Sequence, residues 1–305
     1  MKVGWLRSRT AHARNRYQQF LPTIKLMKNL LLLSTLIVTN LNAQGILEFN
    51  KRFVQSEDKW VAFQMDKDST YSFGFIYIDA QAGLTFDYKG KFKITQSGKF
   101  VAENIDSYSV KIRLEPNRVK VAFIPEYKLT ELSIKPIPDW LESYKKDTGS
   151  IERLYRWGFL YNAWNESAKA LTYLERAQKI NPKFQGLEFE LAYAYNVLEQ
   201  YEKAITILKG ALESEPQNCY LYKELSYAEM YLGQLEKASE TCKKGIKICS
   251  EKPMKCEIAY NMAYHYYKIK DKDKFHYWYK EAKKWSKKGD QFRSNLTKME
   301  EDINN

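Results

Sequence analysis

The chain has 305 residues, which is enough for about two domains, and 44% of them are hydrophobic. Its net charge of +12 would favour binding to nucleic acid or a membrane surface. However, residues 1–43 contain seven basic residues and no acidic one, and the rest of the chain has 42 basic against 37 acidic residues, a net +5. That remainder is ordinary for a soluble protein, so charge alone argues against a nucleic-acid-binding protein.

Residues 27–43 have the composition of a signal peptide. Lys28 provides a positive charge, Leu30–Val38 is apolar, and Ala43 is a small residue at the expected cleavage point. The apolar stretch is shorter than the ~20 residues that a membrane-spanning helix needs. We therefore predict that residues 1–26 are an overlong start or an extended n-region. The mature chain is then exported, begins at Gln44, and is periplasmic or envelope-associated. A buried helix and an uncleaved anchor are the alternatives.

Residues 44–138 are predicted to form a β-rich domain. Segments that alternate apolar and polar residues, or are rich in Val, Ile, Phe and Tyr, predict seven strands: Trp60–Met65, Thr70–Asp79, Leu84–Tyr88, Phe92–Gln96, Phe100–Asn104, Tyr108–Leu114 and Val119–Ile124. Short turn signals, including Lys89-Gly90, predict an antiparallel meander that closes as a small sandwich or open barrel. Pro136 and Pro138 mark the predicted boundary, and residues 139–150 a linker helix.

From residue 151 the sequence repeats with a period of about 34 residues. Positions 8, 20 and 27 of the first three repeats hold small residues: Gly158, Ala170 and Ala177; Ala192, Ala204 and Ala211; Ser226, Ala238 and Gly245. Pro182 and Pro216 recur at position 32. Two antiparallel helices approach closely only where small side chains meet, so each repeat is predicted to be a helical hairpin.

This pattern resembles the tetratricopeptide repeat (TPR) family over about half the chain, and the domain combination resembles exported TPR proteins of the Bacteroidota. The resemblance implies an α+β multidomain protein, with an N-terminal antiparallel β-domain followed by an all-α TPR superhelix. The four hairpins are 151–184, 185–218, 219–252 and 256–289, and 290–305 is a capping helix. The fourth departs from the pattern: it follows a three-residue insertion, 253–255, and Phe275 occupies position 20, so we expect this hairpin to splay or shift.

No motif for enzymatic chemistry appears in the sequence. We found no phosphate-binding glycine loop, no zinc-protease motif and no paired-cysteine metal motif, so we predict no catalytic residue, no cofactor and no metal site. His265 and His276 are interpreted as ordinary helix residues. The stretch from His265 to Lys288 contains nine lysines. We interpret it as a hairpin with tyrosines inward and lysines outward, the alternative being a surface for nucleic acid or an acidic partner.

The resemblance also implies a ligand-binding face, because helix-A positions 2, 5, 9, 12 and 13 of TPR proteins line the concave surface. These positions hold mainly aromatic residues here: Tyr155, Phe159, Asn162, Phe189, Tyr193, Asn196, Tyr220, Lys223, Tyr227, Tyr231, Tyr260, Tyr264 and Tyr267. We predict that this set forms a protein-binding groove, and that the amides of Asn162 and Asn196 bond to a partner's backbone. Packing of these rings within the fold is the alternative.

The four cysteines lie within 38 residues, a spacing compatible with two disulfides in an oxidising compartment. Cys249 and Cys256 flank a turn, and Cys219 and Cys242 lie on the two antiparallel helices of the third hairpin. Both pairs could come within bonding distance, so Cys249–Cys256 and Cys219–Cys242 are the two candidate disulfides, the alternative being four buried thiols.

The sequence therefore predicts a non-enzymatic protein–protein interaction adaptor or scaffold in the bacterial envelope. Its partner is expected to be a protein or peptide, with no nucleic acid bound and no integral membrane span in the mature chain. One alternative is a carbohydrate- or peptide-binding β-domain carried by a structural TPR module. The other is an unrecognised enzyme in the β-domain.

Overall fold

The computed structural model describes residues 46–304. The predicted leader, 1–26 and 27–43, and its cleavage point at Gln44 lie outside the described residues. The described chain forms two units. A β-unit extends to Gly149 and includes Ala163–Asn165, and a helical unit consists of Ser150–Asn162 and all residues from Glu166 onward.

The β-unit contains one antiparallel sheet of five described strands in the order β4-β3-β2-β1-β5. The strands are β1 (Lys59–Ala62), β2 (Tyr71–Asp79), β3 (Gly83–Ile94), β4 (Phe100–Arg113) and β5 (Ala122–Phe123). Tight turns join the long strands. After β2 the carboxylate of Asp79 accepts hydrogen bonds from the amides of Gln81 and Ala82, both 2.7 Å. After β3 the turn contains Gly98 at a φ of 76°, a left-handed conformation that favours glycine.

The predicted sandwich or barrel is wrong, because two pairs of predicted strands are continuous. Lys89-Gly90 is an irregularity inside β3 rather than a turn, and the β3–β4 pairing shifts register between Tyr88 and Gly90. Two long strands thus replace four short ones, and the described sheet stays open with β4 and β5 at its edges.

One face of the sheet is buried under short helices. The β2 residues Phe73, Phe75 and Tyr77 lie on the same face, because the side chains of a strand alternate between its two faces, and all three are fully buried. Leu129 of α1 (Glu126–Leu129) and Leu141 of α2 (Leu141–Tyr144) belong to the same apolar core. Trp140, which precedes α2, packs its ring 4.8 Å from the ring of Tyr77. The predicted linker helix therefore packs as part of the β-unit.

The helical unit consists of four helical hairpins and a final helix. The hairpins are α3 (Ile151–Ala163) with α4 (Ser167–Ile180), α5 (Leu187–Val197) with α6 (Tyr201–Ser214), α7 (Cys219–Tyr231) with α8 (Leu235–Ile248), and α9 (Lys252–Lys268) with α10 (Lys272–Trp285). Helix α11 spans Gln291–Asn304. Together with the antiparallel sheet, these elements confirm the predicted fold class.

The four hairpin turns have the same geometry. Each contains a residue in the left-handed region at the corresponding position: Asn165, Glu199, Gly233 and Lys270, with φ between 58° and 75°. In each turn a backbone amide also bonds back to a carbonyl five residues earlier, as from Gln200 to Tyr195 at 2.8 Å. The repeat in the sequence is therefore a repeat in backbone conformation.

The fourth hairpin differs in the length of its first helix. Helix α9 has 17 residues, whereas α7 has 13. The three inserted residues, 253–255, are close to one helical turn of 3.6 residues, so they lengthen the helix without greatly rotating its apolar face. Residues 253–255 thus lie inside α9. Pro253 is in the first turn, where the backbone nitrogen does not donate a hydrogen bond within the helix. Phe275 is fully buried in this hairpin.

Candidate protein-interaction surface

The structure divides the predicted groove residues by exposure. Five are buried: Tyr155, Asn162, Tyr193, Asn196 and Lys223. Seven are half-buried: Phe159, Phe189, Tyr220, Tyr227, Tyr260, Tyr264 and Tyr267. Tyr231 is exposed, with 47% of its surface accessible. Only the half-buried and exposed members offer area to a partner without a change in the fold.

The buried asparagines bond to the next repeat. Asn162 Nδ2 donates to the backbone oxygen and the carboxylate of Glu190, both at 2.9 Å. One repeat later, Asn196 Nδ2 donates to the same two groups of Glu224, at 3.0 and 3.1 Å. The expectation that these amides bond to a partner is therefore wrong. Position 12 faces position 6 of the following hairpin, so the amides connect neighbouring repeats.

Lys223 is also part of the interior. Its ammonium lies 3.3 Å from the carboxylate of Glu224 and 3.2 Å from that of Glu257 on α9. Burial by itself lowers the pKa of an ammonium group, but here the carboxylates of Glu257 and Glu224 outweigh burial and raise the pKa of Lys223. Lys223 is therefore charged at neutral pH and connects the third and fourth hairpins. The prediction that Lys223 lines the groove is wrong, because its side chain is buried and its ammonium is paired with these two carboxylates.

Four side chains from three hairpins form what we call the aromatic cluster: Tyr201, Tyr227, Tyr231 and His265. The Tyr231 ring stacks on Tyr201, with centroids 5.6 Å apart, and lies 4.5 Å from the Tyr227 ring. His265 of α9 approaches Tyr231 edge-on at 6.1 Å. The cluster therefore spans α6, α7 and α9 and presents Tyr231 at the surface.

The electrostatics of the aromatic cluster keep its polar groups neutral. Burial, with a smaller effect of Glu199, raises the pKa of Tyr201 to about 12. Burial likewise raises the pKa of Tyr227 and lowers the pKa of His265. At neutral pH the cluster is thus an uncharged surface whose phenols can donate hydrogen bonds, a combination common at protein interfaces.

Sequence reasoning did not place Tyr201 or His265 in this surface. Tyr201 begins the second helix of its hairpin, and the resemblance pointed only to first helices. His265 follows Tyr264 directly, so it lies next to a predicted groove position rather than on one. The sequence spacing gives no reason to pair His265 with Tyr231.

The groove residues of the fourth hairpin contact the final helix. The Tyr260 ring lies 4.9 Å from Phe292, and its hydroxyl accepts a hydrogen bond from Asn295 at 3.3 Å. The Tyr267 hydroxyl donates to Asp302 at 2.5 Å. Helix α11 therefore occupies part of the predicted groove next to these two residues.

Two more pairs connect aromatic residues of the early hairpins. The ring of Tyr155 lies 5.3 Å from Phe184, and the ring of Phe189 lies 6.3 Å from Tyr220. The Tyr220 hydroxyl donates to the carboxylate of Glu251 at 3.3 Å, and burial together with this carboxylate raises the pKa of Tyr220 to about 12. The structure thus places part of each ring against the chain's own residues.

The cysteine pairing differs from both candidate pairs. A disulfide joins Cys219, the first residue of α7, to Cys249, which directly follows α8, with Cα atoms 5.3 Å apart. Cys242 and Cys256 are buried free thiols, and burial raises the pKa of each to about 12. In an antiparallel hairpin the first residue of one helix lies beside the end of the other. Cys242 lies seven residues before Cys249, about 10 Å along the helix.

Residues 46–304 include no helix that is long and apolar enough to cross a membrane. Among the side chains described in this range, which exclude those of 104–109, no group of three or more His, Cys, Asp and Glu is arranged to hold a metal ion.

Residues 165–226 match the family model for the tetratricopeptide repeat. No curated protein matches the chain. Among solved structures, it is similar to a thermophilic TPR protein of Thermus thermophilus, at 19% identity and a TM-score of 0.44, over 52% of this chain and 86% of that one. It is also similar to a tetratricopeptide repeat protein of Parabacteroides merdae, at 15% identity and a TM-score of 0.41, over 59% of this chain and 68% of that one.

A third similar structure is MamA of Desulfovibrio magneticus, at 18% identity and a TM-score of 0.39, over 58% of this chain and 86% of that one. The assignment of this chain rests on the family model together with the repeated hairpins, their shared turn geometry and their small contact residues. The helical unit of this chain therefore has the fold of a tetratricopeptide-repeat array, and residues 165–226 match the family model.

Proposed function

We propose that this chain is a non-enzymatic protein-interaction adaptor whose TPR array holds a segment of a partner protein against the aromatic cluster. The observation that carries the proposal is that Tyr231 is 47% exposed although its ring stacks on Tyr201. Tyrosine offers a large apolar area and a hydrogen-bonding tip at little cost in side-chain entropy, and aromatic residues are enriched in the centres of protein interfaces.

The proposed partner segment extends from the aromatic cluster toward the neighbouring half-buried rings. Phe159 and Phe189 of the first two hairpins and Tyr264 of the fourth lie at groove positions and are half-buried. Asn162 and Asn196 do not take part, because both side chains are buried and their Nδ2 groups already donate within the chain. We propose recognition by apolar and aromatic contact, with phenol hydroxyls supplying hydrogen bonds.

We also propose that the adaptor works outside the cytoplasm, in the bacterial envelope. Two observations support this location. Residues 27–43 have the composition of a signal peptide, and Cys219 is bonded to Cys249. Disulfides persist in oxidising compartments such as the periplasm and are rare in the cytosol.

The test of the interaction surface compares two pairs of tyrosines, one in the proposed surface and one outside it. Tyr231→Ala with Tyr264→Ala removes two rings from the proposed surface. Tyr127→Ala with Tyr277→Ala removes two rings that are 70% and 52% exposed elsewhere. Because aromatic anchors dominate binding energy, the first pair should lower partner capture from an envelope extract by about tenfold or more. The extract is solubilised in detergent, so no bilayer is present, and the second pair should leave capture unchanged.

Quantitative mass spectrometry of the captured proteins reads out this test, with thermal unfolding as the check that each variant is folded. The proposal fails if the Tyr231 and Tyr264 variant stays folded and still captures the same proteins at the same level. The β-unit would then be the binding module. It also fails if both pairs reduce capture equally.

A further inference from the structure

The positive charge of the chain is concentrated in the last two hairpins. Residues 235–290 contain fifteen lysines, no arginine and eight acidic residues, a net +7. The rest of residues 44–305 contains 27 basic and 29 acidic residues, a net −2. The small net positive charge of residues 44–305 is therefore the sum of one strongly basic region and a slightly acidic remainder.

Ten of these lysines lie at one end of the hairpins, where α8 and α10 end and α9 begins. We call this set the lysine-rich end: Lys243, Lys244, Lys247, Lys252, Lys255, Lys280, Lys283, Lys284, Lys287 and Lys288. Lys255 and Lys283 are half-buried and the other eight are exposed. The Cys219–Cys249 disulfide lies at the same end and fixes the end of α8 to the start of α7.

Few carboxylates balance this charge. Among the described residues, only Lys284 of the ten lies within ion-pair distance of a carboxylate, 3.9 Å from Glu281. The two acidic residues within segments 243–255 and 280–288 have hydrogen-bond partners already. Glu251 accepts from the Tyr220 hydroxyl, and Glu281 accepts from the Trp285 indole at 2.8 Å. Basic residues in the last turn of a helix stabilise the helix dipole. Only Lys247, Lys283 and Lys284 lie in the last turns of α8 and α10, so the dipoles do not explain the other seven lysines.

Two aromatic side chains lie among these lysines. The Trp285 ring has the Lys255 ammonium 4.6 Å and the Lys284 ammonium 4.7 Å from its centroid. Tyr277 is 52% exposed, with the Lys243 ammonium 5.5 Å from its ring. Trp285 is half-buried. Lysines next to Trp and Tyr are typical of surfaces that rest at the headgroup level of a bilayer, where the rings have one apolar and one wet side.

We propose that the lysine-rich end docks on an anionic lipid bilayer. The absence of arginine favours a diffuse anionic surface over one stereospecific acidic peptide, because lysine acts as a point charge whereas arginine forms bidentate bonds to single carboxylates or phosphates. Lipid headgroups present such a surface, and Tyr277 supplies a ring that can enter it. This surface is separate from the aromatic cluster, so the array has one face for a protein and one end for a membrane.

The test compares four lysines of this end with four lysines elsewhere. Lys244, Lys247, Lys280 and Lys287 are changed to Gln in one variant, and Lys67, Lys99, Lys120 and Lys146 in the control. All eight are exposed, so the two variants lose the same charge. The chain from Gln44 onward, the proposed mature form, is sedimented with vesicles of phosphatidylcholine alone or with about a third phosphatidylglycerol, at physiological and at high salt. The basic residues and the apolar stretch of 1–43 are therefore absent from every sample.

We expect binding to the anionic vesicles only, and weaker binding at high salt. Each lysine near an anionic surface strengthens binding by about fivefold, so the first variant should bind at least ~20-fold more weakly, and the control within about twofold of the parent chain. Tyr277→Ala should weaken vesicle binding, whereas Tyr231→Ala should not.

Three results would overturn the proposal. In the first, the parent chain does not sediment with anionic vesicles. In the second, the two lysine variants lose binding equally. In the third, the chain binds soluble polyglutamate but not the vesicles. The last result would assign this end to an acidic protein. None of these results affects the aromatic cluster, which is tested through Tyr231 and Tyr264.

Discussion

At the scale of single residues, two glycines in the array have opposite surroundings. A Cβ atom on Gly158 of α3 would lie 2.3 Å from the Leu174 side chain of α4. A Cβ atom on Gly210 of α6 would meet no packing neighbour within 4 Å. Gly158 therefore permits the close approach of two helices, whereas Gly210 only lowers the helix propensity of α6.

We predict that Gly158→Ala and Gly210→Ala change stability in opposite directions. The methyl group at 158 forces α3 and α4 apart, and overpacking of this kind costs about 1–3 kcal/mol. The same substitution at 210 should stabilise the protein by about 0.5–1 kcal/mol, because alanine is the better helix former. Urea unfolding followed by circular dichroism measures both changes. Equal stability of the two variants would mean that the hairpin helices do not meet at Gly158.

The small contact residues of the hairpins were visible in the sequence because they recur with a fixed period. The roles of Asn162 and Asn196 were not visible in the same way. Their positions on the helix were predicted, but a side chain at position 12 can face either a ligand or the next hairpin. That choice depends on Glu190 and Glu224, which follow 28 residues later.

At the scale of secondary-structure elements, the disulfide shows that the distance of each cysteine from a helix end decides which cysteines pair. Cys219 begins α7 and Cys249 follows the end of α8, so both lie at the same end of the hairpin. The sequence placed all four cysteines near the third hairpin but did not fix how far each lies from a helix end. The candidate bonds from Cys219 to Cys242 and from Cys249 to Cys256 ignored that distance.

We predict that the native protein carries one disulfide and begins at Gln44. Export to an oxidising compartment forms the Cys219–Cys249 bond, while Cys242 and Cys256 stay reduced because they are buried. Mass spectrometry of the unreduced native protein, unfolded and treated with a thiol reagent, should show two labelled cysteines and a linked peptide containing Cys219 and Cys249. Four labelled thiols in a chain that starts at Met1 would contradict the proposed export.

The strands show why turn signals alone did not predict the number of strands in the sheet. Lys89-Gly90 has the composition of a hairpin turn, but here it lies within β3, where the pairing with β4 shifts register. A glycine inside a strand often marks such an irregularity, and sequence alone does not separate it from a turn. The existence of an antiparallel β-domain was predicted correctly, but its strand number and closure were not.

At the scale of the whole chain, the TPR array presents two chemically different surfaces. The aromatic cluster is uncharged and combines residues of α6, α7 and α9, whereas the lysine-rich end combines residues of α8, α9 and α10. The overall charge of the chain did not reveal the second surface, because an acidic excess elsewhere cancels part of it. The lysines between His265 and Lys288 were noticed in the sequence, but only the fold places the lysines of α8 and of the start of α9 at the same end.

The central claim is that a partner protein contacts the aromatic cluster, and site-specific photocrosslinking tests this most directly. A photoreactive phenylalanine analogue replaces Tyr231 in one chain and Tyr277 in another, both exposed aromatic positions, and cells are irradiated before lysis. We expect a covalent adduct with a discrete protein from position 231 that does not form from position 277. Adducts with the same protein from both positions, or none from position 231, would contradict the claim.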